Sequence, residues 1–348
     1  TEVIEIADKC DTIYTNLWAK FEDNERFYEL DFKGDLNLPV KPIDYAKQAI
    51  ILPTARANID TFTDNIALDN LRVFVDAKGT SKRAKEEQEM MRKTFLAIAW
   101  HNNINADISP FRVGGKYFAA HGLSPFRVMY SPDMWPDKPE KKKFESDEDY
   151  AVAMDKWRAD VSFTIPVTIS AIHPRNVMPD PENERKLYVV ERYTRMKFDV
   201  SKRYPHWGNP ENRTTEQECI FADFWDDEYR CLLIDGEPVL KGAGGVVKHK
   251  YGCLPYVFIE SGLGNHSYDY KPEKRYVGIN TYLQDLLVSE SKAWSIRDIV
   301  LMQQSWPWMY RTGPPEVIKQ LPDVDQSYGS VQDWPQEVKL VQVTPQVP

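Results

Sequence analysis

Two short runs of carboxylates, Asp180, Glu182 and Glu184, and Asp226, Asp227 and Glu228, are the densest groups of side chains in this chain that could do chemistry. Clustered carboxylates are hard oxygen ligands for a divalent cation, and a metal-dependent hydrolase or nuclease is the activity they would serve. The first run also holds Pro181 and Asn183, residues of an ordinary polar turn, so a turn is the simpler reading. Gly242, Gly244 and Gly245 lack the GxxxxGKS or GxxxxGKT order of a phosphate loop and fall between two strand-like runs instead of opening a helix. No GxSxG elbow occurs. His249 and Cys253 stand four apart without a CxxC or HExxH, and Cys219 and Cys231 read as small buried residues in strands. The six histidines are spread without a recognisable nucleophile and base. These residues predict no catalytic site, no metal and no cofactor, and they point to an architectural, regulatory or binding role.

The chain has 348 residues, about twice the usual domain size, so two or three structural units are expected. Aromatic residues make up 12%, well above what a disordered chain carries, so the chain folds. No apolar run approaches the roughly 18 residues that span a bilayer, and the start, TEVIEIADKC, lacks the basic and apolar blocks of a signal peptide. A membrane is therefore not an expected partner. Four dispersed cysteines suit a reducing compartment better than a disulfide framework. A net charge of −9 argues against a broad grip on nucleic acid, and leaves room for a surface past which nucleic acid slides.

From Thr1 to about His121 the pattern is mostly helical. Ile4, Ile6, Ala7, Ile13, Leu17 and Phe21 suit one amphipathic helix; Pro42 opens another through Tyr45, Ala49 and Ile50 toward Ile59 and Phe62, divided or kinked at Pro53. A third, Ser81 to about Asn103, has a charged first half expected to project and an apolar second half, Met90 to Trp100, expected to pack. A charge-dense insert at 134–161 ends in an amphipathic piece, Asp149 to Trp157, and reads as a solvated excursion. From Ser162 the period becomes two, with runs rich in Val, Ile, Tyr, Phe and Thr separated by DPENE, DG and GAGG turns. Helices followed by strands predict an α+β fold with an antiparallel sheet.

Ile279 to Gln304 then runs without Gly or Pro, with apolar residues at Ile279, Tyr282, Leu283, Leu286, Ala293, Ile296 and Val300. A helix of that length spans about 40 Å, long for one domain core. The tail, Trp306 to Pro348, is β-like and broken by prolines, with no second helix to cover the stripe. Other copies of the chain are the expected cover.

In this order the features resemble the portal proteins of tailed bacteriophages. IHPRNVMPDPE resembles the strand and turn that opens the family's wing sheet, and LYVVERYTRMKFDVSKRY with FADFWDDEYRCLLIDGEPV resembles its paired strands, with Tyr193 and Trp225 in the aromatic positions. HKYGCLPYVFIESG is similar to the segment leading out of that sheet, VGINTYLQDLLVSESKAWSIRDIVLM to the first stem helix, and WPWMYRTGPP through GSVQDWPQEVKLVQV to the β-rich clip. The likeness covers about half the chain, and no single motif is diagnostic.

The resemblance implies a wing at 1–270 (a helical segment at 1–133, the charged insert at 134–161 and the sheet at 162–270), a stem helix at 271–305 and a clip at 306–348. A full portal returns by a second stem helix, a tunnel loop and a crown, which do not follow here, so the chain is expected to be a fragment. It implies a non-enzymatic ring, usually a dodecamer, at one capsid vertex of the virion, assembled in the host cytoplasm, through which double-stranded DNA is packaged and ejected. The expected partners are the terminase large subunit, a head-tail adaptor, and the major capsid and scaffold proteins. Glu290, Lys292, Arg297 and Asp298 are the stem residues expected to face the channel or pair between subunits. The expected docking residues of the clip are Arg311, Glu316, Lys319, Asp323, Asp325, Asp333 and Glu337; with Lys339 these make three cations against five acids, a mildly repulsive rim for a moving duplex. Another structural virion protein, such as a head-tail adaptor, is the alternative beside the carboxylate enzyme.

Overall fold

In a computed structural model, which describes residues 2–38, 49–66, 73–76, 79–104, 106–131, 134–141, 146–182, 185–198, 200, 204, 207, 217–240, 245–265, 271–305, 308–312, 314, 316 and 339–343, the chain is an α+β protein with antiparallel sheets. It divides into two compact units, Thr1–Tyr28 with Arg56–Tyr282 and Glu29–Ala55 with Leu283–Pro348. This division differs from the boundaries drawn from sequence: the later break falls after Tyr282, and 29–55 joins the long helix and the tail.

The first unit begins with α1, Glu2–Tyr28. Ala7, Cys10, Tyr14, Leu17, Phe21 and Asn24 recur at intervals of three and four, which puts them on one face, and all are buried. The stripe expected from the isoleucines is displaced: Ile4 is exposed, and Ile6 and Ile13 are half-buried. Cys10 and Tyr14 hold the centre instead, the Tyr14 hydroxyl donating to the Pro179 carbonyl at 2.7 Å. Burial of Leu17 or Phe21 contributes about 1.5–3 kcal/mol each.

That face rests on the main sheet, in the order β3 (Val177–Pro179), β4 (Tyr188–Met196), β5 (Glu218–Asp226), β6 (Tyr229–Ile234) and β7 (Glu237–Pro238), with β8 (Val246–Lys248) also pairing β6. Alternation gives the sheet two buried faces. Val190 and Phe224, opposite each other across β4 and β5, join the α1 core; their neighbours Val189 and Trp225 pack with Ile172, Val177 and Tyr256 on the other side. The DG turn between β6 and β7 puts Asp235 and Gly236 at φ 50° and 80°, the pair of left-handed residues that tight hairpins require.

A second sheet has the order β2 (Val167–Ala171), β1 (Leu123–Tyr130) and β9 (Tyr256–Glu260). Its central strand corrects the helical reading of 1–133. Pro125 is incompatible with a helix interior, and α4 (Pro110–His121) stops just ahead of it at Gly122, φ 74°. Helix α2 is Thr54–Ile66, beginning directly after Pro53; Pro42 and Tyr45 lie outside the described residues. Helix α5, Asp147–Phe163, forms the second half of the charged insert with Ser146 accepting the Asp149 amide, and it delays the expected change to strand from Ser162 to Val167.

Helix α3, Lys82–Ile104, falls within one residue of its expected ends, but its apolar half does not pack as expected. Only Ala99 is buried, and Met90, Met91, Phe95, Trp100 and Ile104 are exposed. A polar clamp holds the helix end: the Asn102 carboxamide donates to the Val167 carbonyl and accepts the Ile169 amide, both at 2.8 Å, filling the free edge of β2.

The first unit also holds a short helix, α6 (Pro272–Arg275); in the second unit, helix α7 (Gln284–Ser305) packs through Val288 and Ile299 on Leu36, Leu38, Ala49 and Ile51, next to a 3-10 turn at Lys33–Leu36. A hairpin follows, β10 (Trp308–Thr312) paired with β11 (Lys339–Val343).

Candidate functional site

The long helix starts later than its hydropathy implies. Ile279–Leu283 is turn, because its backbone is already committed: the Ile279 amide donates to the Ala119 carbonyl at 2.8 Å and the Gly278 amide to Thr281 Oγ1 at 3.2 Å. Gly278 makes this approach possible, since a Cβ there would lie 2.0 Å from the Ala120 carbonyl oxygen. Within α7 the buried positions are Leu287, Ser291, Ser295 and Ile299, four apart and on one face. Ser295 Oγ accepts the Ile50 amide at 2.8 Å, and Ser291 Oγ accepts the Leu52 amide at 3.2 Å.

The expected apolar stripe is not the face that its own unit buries. Its members Tyr282, Leu286, Ala293 and Ile296 are exposed, Leu283 and Val300 are half-buried, and Ile279 packs near Ile59 and Ala119. Helix α7 therefore carries apolar side chains around much of its circumference: Leu286 is 65% exposed, Trp294 45% and Leu301 48%. A helix hydrophobic beyond the face its own unit covers has apolar area left over for another surface.

The four stem residues do not share one face. At about 100° per residue, Glu290 and Arg297 project on one side and Lys292 on the other. Arg297 lies over the Trp294 ring, 4.8 Å from its centre, and Asp298 is half-buried. Of the clip residues, Arg311 is in β10 and Glu316 is exposed, while Lys319, Asp323, Asp325, Asp333 and Glu337 lie outside the described residues. Lys339 begins β11.

The carboxylate runs are occupied with turn structure. Asp180 is buried and its carboxylate accepts the amides of Glu182 at 3.0 Å and Leu187 at 3.4 Å; Glu182 pairs with Lys9. Glu184 lies outside the described residues. Asp226 Oδ1 accepts the Glu228 amide at 2.7 Å and that of Tyr229, Glu228 pairs with Lys248 at 2.8 Å, and Asp227 stands 3.7 Å from Arg185. His249 Nε2 meets the Asp226 carbonyl at 2.9 Å, and Cys253 is exposed. Of the glycine-rich stretch only Gly245 is described, at φ 78° against Pro238.

One grouping has no counterpart in the linear pattern. His121 ends α4, His173 caps a 3-10 turn at Pro174–Asn176, and both rings meet Glu25 on α1. His173 Nε2 lies 3.1 Å and His121 Nε2 3.6 Å from Glu25 Oε1, and the two rings are 5.5 Å apart. Burial holds the His121 imidazole far below its ordinary value, at about 3, so at neutral pH its approach to Glu25 is not an ion pair. Burial raises the Glu25 carboxyl, but His173, His121 and Arg175 outweigh it and leave it below the usual range. An apolar cavity of about 340 Å³ lies elsewhere in the first unit, lined by Ile66, Phe111, Phe118, Phe126, Val257 and Ile259.

No described helix is long and apolar enough to cross a membrane. Comparison with the models of known protein families finds no match, and comparison with curated proteins finds none either.

Proposed function

We propose that this chain is the wing, first stem helix and clip of a phage portal protein, one subunit of a ring at a capsid vertex through which double-stranded DNA is packaged and ejected. The observation that carries the reading is α7: its own unit covers the Leu287–Ser291–Ser295–Ile299 face, while Leu286, Trp294, Ile296 and Leu301 stay exposed. Apolar side chains on several sides of one helix suit neighbours on both flanks, and a heterologous contact repeated by rotation closes into a ring. Helix α3 offers a second such surface through Met90, Met91, Phe95 and Trp100.

The mechanism is passive. A motor supplies the energy; the ring supplies a hole and a docking surface, with the clip for the terminase large subunit or a head-tail adaptor and the wing for major capsid and scaffold proteins. Net charge of −9 favours passage over capture, since each tight phosphate contact must be broken again as the duplex moves. Negative-stain images of the purified protein, with native mass measurement, test the proposal: annular particles of one copy number, twelve in the family's usual form, are expected. A monodisperse monomer at high concentration sinks it.

A further inference from the structure

We propose that Glu25, His121 and His173 form a binding site for one divalent transition-metal ion of the zinc type. Each residue offers one donor atom, and the three donors lie within 4.8 Å of one another. A tetrahedral ion with bonds near 2.1 Å sets its ligand atoms about 3.4 Å apart. The two separations from Glu25 Oε1, 3.1 Å to His173 Nε2 and 3.6 Å to His121 Nε2, bracket that edge length.

A second, independent observation marks the place as short of a partner. His121 is 2% exposed, its Nδ1 is buried with no hydrogen-bond partner, and its Nε2 is beyond hydrogen-bond reach of Glu25. Glu25 Oε1 is likewise buried without a hydrogen bond of full geometry. A metal ion bonded to Glu25 Oε1 and His121 Nε2 gives that carboxylate oxygen its missing partner and leaves the His121 ring proton on Nδ1. Burial favours the neutral imidazole at neutral pH, the form that ligates.

The donor set chooses the ion. Two borderline imidazoles with one carboxylate suit Zn²⁺, Co²⁺ or Ni²⁺, whereas Mg²⁺ and Ca²⁺ take an all-oxygen set. Glu25 and His173 also line a polar cleft of about 580 Å³ with Asp11, Trp18, Arg175 and Arg192, which leaves a fourth position open to solvent. Two groups compete with the ion. Arg175 Nη1 lies 3.7 Å from Glu25 Oε2, and the Arg175 amide donates to His173 Nδ1 at 3.2 Å. Binding at His173 Nε2 places the ring proton on Nδ1 and gives up that last bond, a cost the ion must outweigh.

The site lies within one chain and is independent of ring formation. Chelator-treated protein is titrated with Zn²⁺ by calorimetry and with Co²⁺ by visible absorption, with Mg²⁺ as control. One equivalent of Zn²⁺ or Co²⁺ per chain is expected, with a Co²⁺ d–d band and no heat for Mg²⁺. His173→Ala and Glu25→Gln, at half-buried positions, are expected to weaken binding by more than about a hundredfold, because loss of a ligand exceeds the loss of a supporting hydrogen bond. In the unaltered chain, saturating Zn²⁺ protects His173 from diethyl pyrocarbonate, which keeps the test valid if a variant misfolds. Absence of stoichiometric binding, or binding unchanged in both folded variants with His173 still reactive, overturns the proposal.

Discussion

Glu191 joins two strands of the second sheet to the main sheet of the first unit. It is buried in β4, accepts two bonds from Arg127 Nη1 at 2.8 and 3.1 Å, and accepts the Tyr256 hydroxyl at 2.6 Å. Three strands of two sheets are tied at one carboxylate. Removing one partner of a buried ion pair leaves a charge without compensation, so Arg127→Ala is expected to cost about 3 kcal/mol in urea unfolding. Arg127→Met with Glu191→Leu together should recover most of it, since neither charge is then left buried without the other. Burial also raises the Glu191 carboxyl, against the opposing pull of Arg127 and Tyr256. A folded-state value above the unfolded one means the native chain holds the extra proton, so this contribution is complete below about pH 4.3 and fades as pH rises through the folded value. Wild type minus Glu191→Gln, measured by unfolding from pH 4 upward, should therefore fall with pH and then level off; a difference that rises contradicts the assignment.

Among the elements, those with a strong hydropathy period were legible from sequence, and those decided by hydrogen bonds were not. Helix α3 and strands β4, β5 and β6 fall close to their expected ranges, because alternation or helical spacing of apolar residues is what forms them. The start of α7 was not legible, since the Ile279 amide is taken by the Ala119 carbonyl, a contact between segments far apart in sequence. Nor was its buried face, which two serine hydroxyls build against the backbone of Ile50 and Leu52. Hydropathy registers serine as solvent-facing. The His121, His173 and Glu25 grouping was hidden for the same reason: a helix end, a turn and a helix face converge only in the folded chain. The serine clamp has a local readout. Ser291→Ala with Ser295→Ala is expected to cost about 2 kcal/mol, and the Ile50 and Leu52 amides should exchange with deuterium much faster than in wild type. Unchanged protection of both amides would mean the hydroxyls do not hold that segment.

For the whole molecule, the question is whether exposed apolar area on α7 is incidental or is surface awaiting copies of the same chain. Single exposed apolar residues are ordinary in soluble proteins, but Leu286, Trp294, Ile296 and Leu301 lie within 16 residues of one helix. Substitution separates the two cases. Leu286→Asp and Leu301→Asp alter side chains that the isolated chain leaves in water, so each should shift monomer stability by less than about 0.5 kcal/mol. Leu287→Asp, on the buried face, introduces an unpaired charge into a packed position and should be strongly destabilising. If α7 packs against neighbouring copies, the Leu286 and Leu301 variants lose annular particles in negative stain while keeping the wild-type thermal transition of the monomer. A parallel pair on α3, Met91→Asp and Phe95→Asp, asks the same of the first unit. Rings that persist in all four variants would place the subunit contact elsewhere, and removal of the proposed interface would take with it the argument that joins the long helix to a DNA channel.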